Sequence, residues 1–115
     1  MNDPLLNFEG KVALITGGAS GMGQGQAQLF SREGASVMIA DLQAELGKTV
    51  ASEISTAGGE AAFSDLDVRD WDRWQAVVSE TESRFGRLDI LCNNAGTNLR
   101  VGFTELAVEE YRNIV

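Results

Sequence analysis

A glycine-rich segment, Thr-Gly-Gly-Ala-Ser-Gly-Met-Gly at residues 16–23, constrains the fold of this chain more than any other feature. It follows the apolar run 12–15 and precedes a segment in which Ala27, Leu29 and Phe30 have helical spacing. The glycines are therefore predicted to form a strand-to-helix turn. Such a turn leaves backbone N–H groups unpaired beside the positive end of the helix dipole. A pyrophosphate is the ligand that this arrangement suits.

Three of the four glycines of the turn have separate predicted roles. Gly17 permits the sharp bend, Gly21 lets the backbone approach a phosphate without a Cβ in between, and Gly23 lets the new helix pack close to the strand. A glycine triplet alone is also typical of an ordinary tight loop, so the rest of the chain must distinguish the two interpretations.

Apolar runs and helical segments alternate along the chain, which predicts a parallel sheet flanked by helices. We expect strands at residues 11–15, 35–40, 61–66 and 88–92, and a first helix at residues 24–33.

The second helix is predicted to end at Gly58 and Gly59, and its four-residue apolar repeat is Leu42, Leu46, Val50 and Ile54. The third is predicted to be capped by Asp70 and Gly86, with a buried stripe of Trp71, Trp74, Val77, Val78 and Phe85. A last helix is predicted to begin near Val108.

Four features fall at the carboxyl ends of the predicted strands: the glycine turn, Asp41, the pair Asp67 and Val68, and residues 93–96. In parallel sheets, ligands bind beyond these ends, where the strand order reverses. One edge of the sheet is therefore the predicted binding site.

Charge and composition exclude several classes of function. The 115 residues carry a net charge of −8, and their nine basic residues are scattered, so no nucleic-acid partner is expected. No apolar run is long enough to span a bilayer, and the N-terminus lacks the basic start of a signal peptide. The single cysteine, Cys92, is predicted to be a buried, inert thiol within an apolar strand. We expect a soluble cytoplasmic protein with no membrane partner and no metal site.

Two motifs resemble those of the classical short-chain dehydrogenase/reductase family. The spacing Thr16-Gly17-x-x-x-Gly21-x-Gly23 is that family's glycine motif, and Asn-Asn-Ala-Gly at residues 93–96 matches its second signature. The resemblance extends from about residue 8 onward. It implies an α/β fold, a Rossmann-type doubly wound parallel sheet of about four strands in the order 3-2-1-4. Residues 1–115 would form one partial NAD-binding domain, the N-terminal half of such a protein.

The resemblance also implies a set of cofactor-binding residues. Asp67 would bind the adenine amino group, Val68 would contact the adenine ring, and the end of the fourth strand would lie against the ribose and nicotinamide. Asp67 could instead be a solvated turn carboxylate, and the two asparagines could be simple turn formers. The cofactor-binding residues implied are Gly17, Ser20, Gly21, Met22 and Gly23 at the pyrophosphate, with Asp41, Leu42, Asp67, Val68, Asn93, Ala95 and Gly96 completing the site.

Asp41 is the predicted selector between NAD and NADP. It lies 18 residues after Gly23, close to the spacing at which a carboxylate accepts hydrogen bonds from the adenosine ribose hydroxyls. A 2′-phosphate there would meet like charge at a cost of about 4 kcal/mol per unit charge, at about 4 Å and an effective dielectric near 20. Ser20 and Leu42 occupy positions where NADP-preferring relatives often carry arginine or lysine. NAD is therefore the expected cofactor.

The family's catalytic residues have no counterpart in this chain. The resemblance implies a serine and a Tyr-x-x-x-Lys pair, whereas Tyr111 is followed four residues later by Val115. We therefore expect a fragment that is inactive by itself, from an NAD-dependent oxidoreductase of alcohols and ketones that forms a dimer or tetramer. Two alternatives stay open: a stand-alone nucleotide-binding module without catalysis, and a methyltransferase. The motif at residues 93–96 argues against the methyltransferase.

Overall fold

The computed structural model of the protein describes residues 7–94. Within them, four strands alternate with three helices. The strands are β1 (Val12–Thr16), β2 (Ser36–Asp41), β3 (Glu60–Asp65) and β4 (Ile90–Asn93), and the helices are α1 (Gly21–Arg32), α2 (Ala44–Thr56) and α3 (Trp71–Phe85). The predicted helix near Val108 lies outside the described residues.

All four strands are parallel and lie in the order β3-β2-β1-β4. In the register, Leu14 of β1 lies between Met38 of β2 and Leu91 of β4. Strand β1 is thus central, and the chain order reverses between β1 and β4. The predicted fold class and strand order are confirmed.

Side chains of β1 alternate between the two faces of the sheet and supply both halves of the core. Leu14 packs into the cluster that α3 covers, whereas Ala13 and Ile15 pack into the cluster beneath α1 and α2. Because both faces of β1 are covered, all five of its residues are buried. A continuous apolar run is the pattern expected of such a strand.

The first helix begins earlier than predicted. Its first residue is Gly21 rather than Gln24, and Ser20 is the N-cap with extended backbone angles. The periodicity argument missed this turn because its residues, apart from Gly23, do not face the core: Gly21 and Met22 are exposed. The last three glycine-motif residues are therefore helical, and the N–H groups of the first turn lie at the sheet edge.

The predicted apolar stripe of α2 is wrong in its first half. Leu42 precedes the helix, and the side chains of Leu42 and Leu46 are 67% and 48% exposed. Within the helix, an i, i+4 repeat drifts around an axis of 3.6 residues per turn, so Leu46 lies at the margin of the face that Val50 and Ile54 share. The buried face uses Gly47 and Ala51 with the remaining two predicted residues, Val50 and Ile54.

The third helix agrees with the sequence prediction at both ends. The Asp70 carboxylate accepts a hydrogen bond from the backbone N–H of Arg73 at 3.0 Å, and Gly86 ends the helix in the left-handed conformation at φ 88°. Trp74, Val77 and Val78 are buried, while Trp71 and Phe85 are partly buried against the same cluster. This helix closes the face of the sheet opposite α1.

Helix α1 lies so close to the glycine turn that only glycine fits at the contact. A Cβ at Gly23 would overlap the carbonyl oxygen of Gly17 and lie 3.0 Å from the Cα of Gly18. Both are backbone atoms, so neither can move aside as a flexible side chain could. The same helix contains Gly25, where a Cβ would meet no atom within 4 Å.

We predict opposite effects for alanine at these two glycines. Gly23→Ala should lower the free energy of unfolding by about 1–3 kcal/mol, because the new methyl group forces the turn and the helix apart. Gly25→Ala should leave the stability unchanged or raise it by up to about 1 kcal/mol, because alanine is the better helix former. Urea unfolding of the full-length protein and both variants measures this. Equal stability of the two variants would contradict the close packing.

Candidate functional site

The carboxyl ends of the four strands bring most of the predicted site residues to one edge of the sheet. Thr16 at the end of β1 lies opposite Asn93 of β4, and Asp41 of β2 lies opposite Asp65 of β3. The glycine turn follows Thr16 directly, and Asp67 lies two residues beyond β3. Ala95 and Gly96 lie outside the described residues.

The glycine turn has the open space that a phosphate group needs. Gly21 has a φ of 59°, and a Cβ built there would meet no atom within 4 Å. Ser20 is exposed, and its side chain makes no capping hydrogen bond to α1. The N–H groups of the first helical turn are therefore not covered by the cap side chain. This is the backbone arrangement that binds anions at a helix N-terminus.

Asp41 joins the glycine turn to the start of α2. Its Oδ2 accepts a hydrogen bond from the backbone N–H of Ala19 at 3.0 Å, and its Oδ1 accepts one from the N–H of Gln43 at 2.9 Å. The residue is only 9% exposed, so the carboxylate is held in one orientation. Because each carboxylate oxygen has two lone pairs, each can still accept one further hydrogen bond.

The two chain segments that meet at Asp41 carry no positively charged side chain. Residues 17–24 and 41–47 include neither lysine nor arginine. The adjacent Leu42 is 67% exposed and apolar, and Ser20 is exposed and uncharged. A dianionic group placed beside Asp41 would find no cation on either of these segments.

Asp67 has a partner that the sequence did not predict. Its Oδ2 accepts a hydrogen bond from Arg69 Nη2 at 3.0 Å, and its Oδ1 accepts from the Nε and backbone N–H of the same residue. These hydrogen bonds hold the pKa of the Asp67 carboxyl below its ordinary value. The Arg69 side chain is 72% exposed, so this ion pair contributes little to stability.

Val68, the other residue predicted at the adenine, packs against the core cluster under α3. It is partly buried. Its contact with an adenine ring stays a prediction.

Thr16 connects the two asparagines after β4 to the centre of the sheet. Its hydroxyl donates to Asn93 Oδ1 at 2.6 Å and accepts from the backbone N–H of Asn94 at 3.2 Å. The side-chain Nδ2 of Asn94 donates to the carbonyl of Thr16 at 3.3 Å and to Gln26 Oε1 at 2.6 Å. The asparagines therefore fix the end of β4 to β1 and α1, which is more than a turn former does.

Cys92 of β4 is half-buried beside the core cluster under α1 and α2. Burial raises the pKa of its thiol, so the reactive thiolate is disfavoured at neutral pH. Cys92 is thus less buried than predicted, and the raised pKa of its thiol is in the direction expected of an unreactive cysteine.

Sequence reasoning missed three residues that organise this edge: Ala19, Gln26 and Arg69. No sequence motif predicts their contacts, because each contact depends on the folded backbone or on local geometry. The backbone N–H of Ala19 bonds a residue 22 positions away, and Gln26 bonds one 68 positions away. Only Arg69, two residues after Asp67, offered a local signal.

None of the helices in residues 7–94 combines the length and the apolar character that a membrane crossing requires. The same part of the chain has no group of three or more histidine, cysteine, aspartate or glutamate side chains placed to hold a metal ion.

Comparisons with known proteins point to one family. Residues 11–115 match the family model described as short chain dehydrogenase. A 2,5-dichloro-2,5-cyclohexadiene-1,4-diol dehydrogenase of Sphingobium indicum is 47% identical over 106 residues, which cover 92% of this chain and 42% of that protein. A trans-4-hydroxycyclohexanecarboxylate dehydrogenase of Sinomonas cyclohexanicum is 42% identical over 111 residues, covering 91% of this chain and 43% of that protein.

A solved structure gives the same result for the fold. The crystal structure of a hydroxysteroid dehydrogenase from Escherichia coli superposes with a TM-score of 0.79 at 36% identity, covering 84% of this chain and 41% of that one. The chain thus spans about two-fifths of the length of the curated relatives it matches.

The double hydrogen bonding of Asp41 predicts that its replacement by asparagine costs stability. An asparagine has one acceptor oxygen, so either Ala19 or Gln43 would face an amide NH2 group with its own N–H. We expect Asp41→Asn to lower the free energy of unfolding by about 1–3 kcal/mol. Asp65→Asn, at the exposed end of the neighbouring strand, should change it by less than about 0.5 kcal/mol. Chemical denaturation of the full-length protein tests both, and equal losses would contradict the joining role of Asp41.

Proposed function

This chain belongs to the short chain dehydrogenase family, and we propose that it supplies the NAD-binding part of an oxidoreductase. The reaction would transfer a hydride between the nicotinamide and an alcohol or ketone substrate. Members of the family bind a nicotinamide cofactor, either NAD or NADP. The observation that carries the choice of NAD is the buried carboxylate of Asp41, which is tied to the glycine turn and has no cation on either flanking segment.

In this proposal the glycine turn holds the pyrophosphate. The uncovered N–H groups at the start of α1 donate hydrogen bonds to the phosphate oxygens, and the helix dipole favours their negative charge. Gly21 supports this role because a side chain at that position would occupy the open space that the phosphate needs. The same segment includes Gly17, Ser20, Met22 and Gly23.

Asp41 would bind the adenosine ribose. Its two oxygens already accept one hydrogen bond each, and their remaining lone pairs can accept from the two ribose hydroxyls. The backbone bonds hold the carboxylate in place before the ligand arrives, so little side-chain entropy is lost on binding. A 2′-phosphate in the same place would bring two like charges together in a partly desolvated position, so NADP is disfavoured.

Asp67 and Asn93 would bind the two ends of the cofactor. Asp67 Oδ2 accepts one hydrogen bond from Arg69 and can take another from the adenine amino group. Asn93, with Ala95 and Gly96, would support the ribose and nicotinamide at the end of β4. The nicotinamide supplies the carbon that accepts or releases the hydride.

The substrate proposal rests on the names of the relatives. The two curated relatives are named as dehydrogenases of a cyclohexadiene diol and of a hydroxycyclohexane carboxylate, and both names describe hydroxyl groups on six-membered rings. For the reaction in which this chain takes part, we propose an alcohol of this kind as the substrate. We assign no residue of this chain to proton transfer.

The test of the proposal is cofactor discrimination at Asp41. Full-length protein should bind NAD+ more tightly than NADP+, and Asp41→Ala should reduce the ratio of the two dissociation constants by about tenfold or more, because the repulsion of the 2′-phosphate is removed. Isothermal titration with both cofactors measures the ratio, which does not depend on the folded fraction.

Asp65→Ala is the matched control, since Asp65 lies opposite Asp41 in the register but is exposed. It should leave the ratio unchanged. Failure of the wild-type protein to bind either cofactor would overturn the proposed function, and an unchanged ratio in Asp41→Ala would overturn the selector role. Binding of NAD+ without turnover of any alcohol would favour the stand-alone nucleotide-binding module.

A further inference from the structure

One side chain connects the two parts of the proposed cofactor site, and no motif contains it. Gln26 lies in the second turn of α1, the helix whose first turn follows the glycines. Its Oε1 accepts a hydrogen bond of 2.6 Å from Nδ2 of Asn94, the first residue after β4. Both side chains are partly buried, so water competes less for this bond than at an exposed site.

Asn94 donates three further hydrogen bonds, all to Thr16 of β1. Its Nδ2 donates to the carbonyl oxygen of Thr16 at 3.3 Å, and its backbone N–H is shared between the hydroxyl and the carbonyl oxygen of the same residue, both at 3.2 Å. The bond to Gln26 is the shortest of the four and the only one of them that reaches a helix. Without it, these bonds would attach Asn94 to the sheet alone, and none of them would hold it to α1.

We propose that Gln26 is a positioning residue that aligns the two ends of the dinucleotide site. It fixes the end of β4, at Asn94, relative to α1. The pyrophosphate-binding turn and residues 93–94 are thereby held in one arrangement before the cofactor binds. A site that is already ordered binds more tightly because less conformational entropy is lost. This inference rests on the proposed NAD-binding function.

The alignment role differs from a contribution to folding alone. Thr16 and Asn94 remain connected to each other when Gln26 is replaced, so the sheet itself should keep its stability. Loss of the Gln26–Asn94 bond should therefore raise the dissociation constant for the cofactor while the melting temperature of the protein changes little. This loss of affinity should also depend on Asn94, since Gln26 acts through that side chain.

The experiment measures NAD+ binding to the full-length protein by isothermal titration. Gln26→Met keeps the length of the side chain but removes the acceptor, and it should raise the dissociation constant for NAD+ about threefold to tenfold. Gln28→Met is the matched control, because Gln28 lies on the same helix with an exposed side chain. It should bind NAD+ as the wild type does. Both variants should melt within a few degrees of the wild type.

Two further variants separate alignment from folding. Gln26→Glu retains an acceptor for Asn94 and should restore most of the affinity, with Gln28→Glu as the control for added charge. In an Asn94→Ala background, Gln26→Met should cause no further loss. If Gln26→Met does not fold, Gln26→Asn tests the same point, because its shorter side chain withdraws the acceptor and keeps the amide.

Three results would overturn the alignment role: wild-type affinity in Gln26→Met, no rescue by Gln26→Glu, or losses that simply add in the double variant. A wild-type protein that does not bind NAD+ would overturn the proposed function first. The two failures are therefore distinguishable by the wild-type titration.

Discussion

The close contact between the first turn of α1 and the glycine turn is the constraint on which the site depends. The helix can lie there only because Gly23 has no Cβ to meet the carbonyl oxygen of Gly17. This contact directs the N-terminal end of α1 toward the carboxyl edge of the sheet. The backbone N–H groups, the helix dipole and the open space at Gly21 then face the same region, which is what a pyrophosphate requires.

Side chains from other elements hold this turn in place. Asp41, at the end of β2, accepts a hydrogen bond from Ala19 within the turn, and Gln26 connects α1 to the residue after β4. Binding and structure are therefore not separable at Asp41, since the carboxylate that would bind the ribose also fixes the backbone beside the phosphates. Cofactor engineering at this residue has to replace two hydrogen bonds as well as a charge.

Local patterns in the sequence predict much of this fold and only part of the site. Apolar runs located the strands to within one or two residues, and Asp70 and Gly86 marked the ends of α3 because caps are local. The strand order and most of the site residues came from the family resemblance, because periodicity does not determine which strands pair. The contacts of Gln26 and Ala19 escaped prediction because they join residues that are distant in the sequence. The exposed Leu46 shows the converse, since a regular apolar spacing did not ensure burial.

Amide hydrogen exchange of the full-length protein with and without NAD+ tests whether the carboxyl edge of the sheet binds NAD. We expect slower exchange on binding in residues 17–24, 41–43 and 93–94, where the turn, Asp41 and the end of β4 meet. Exchange near Gly58 and Gly86, at the opposite edge, should stay unchanged. Protection confined to that opposite edge, or unaltered exchange in the glycine turn at saturating NAD+, would show that NAD does not bind at the carboxyl edge.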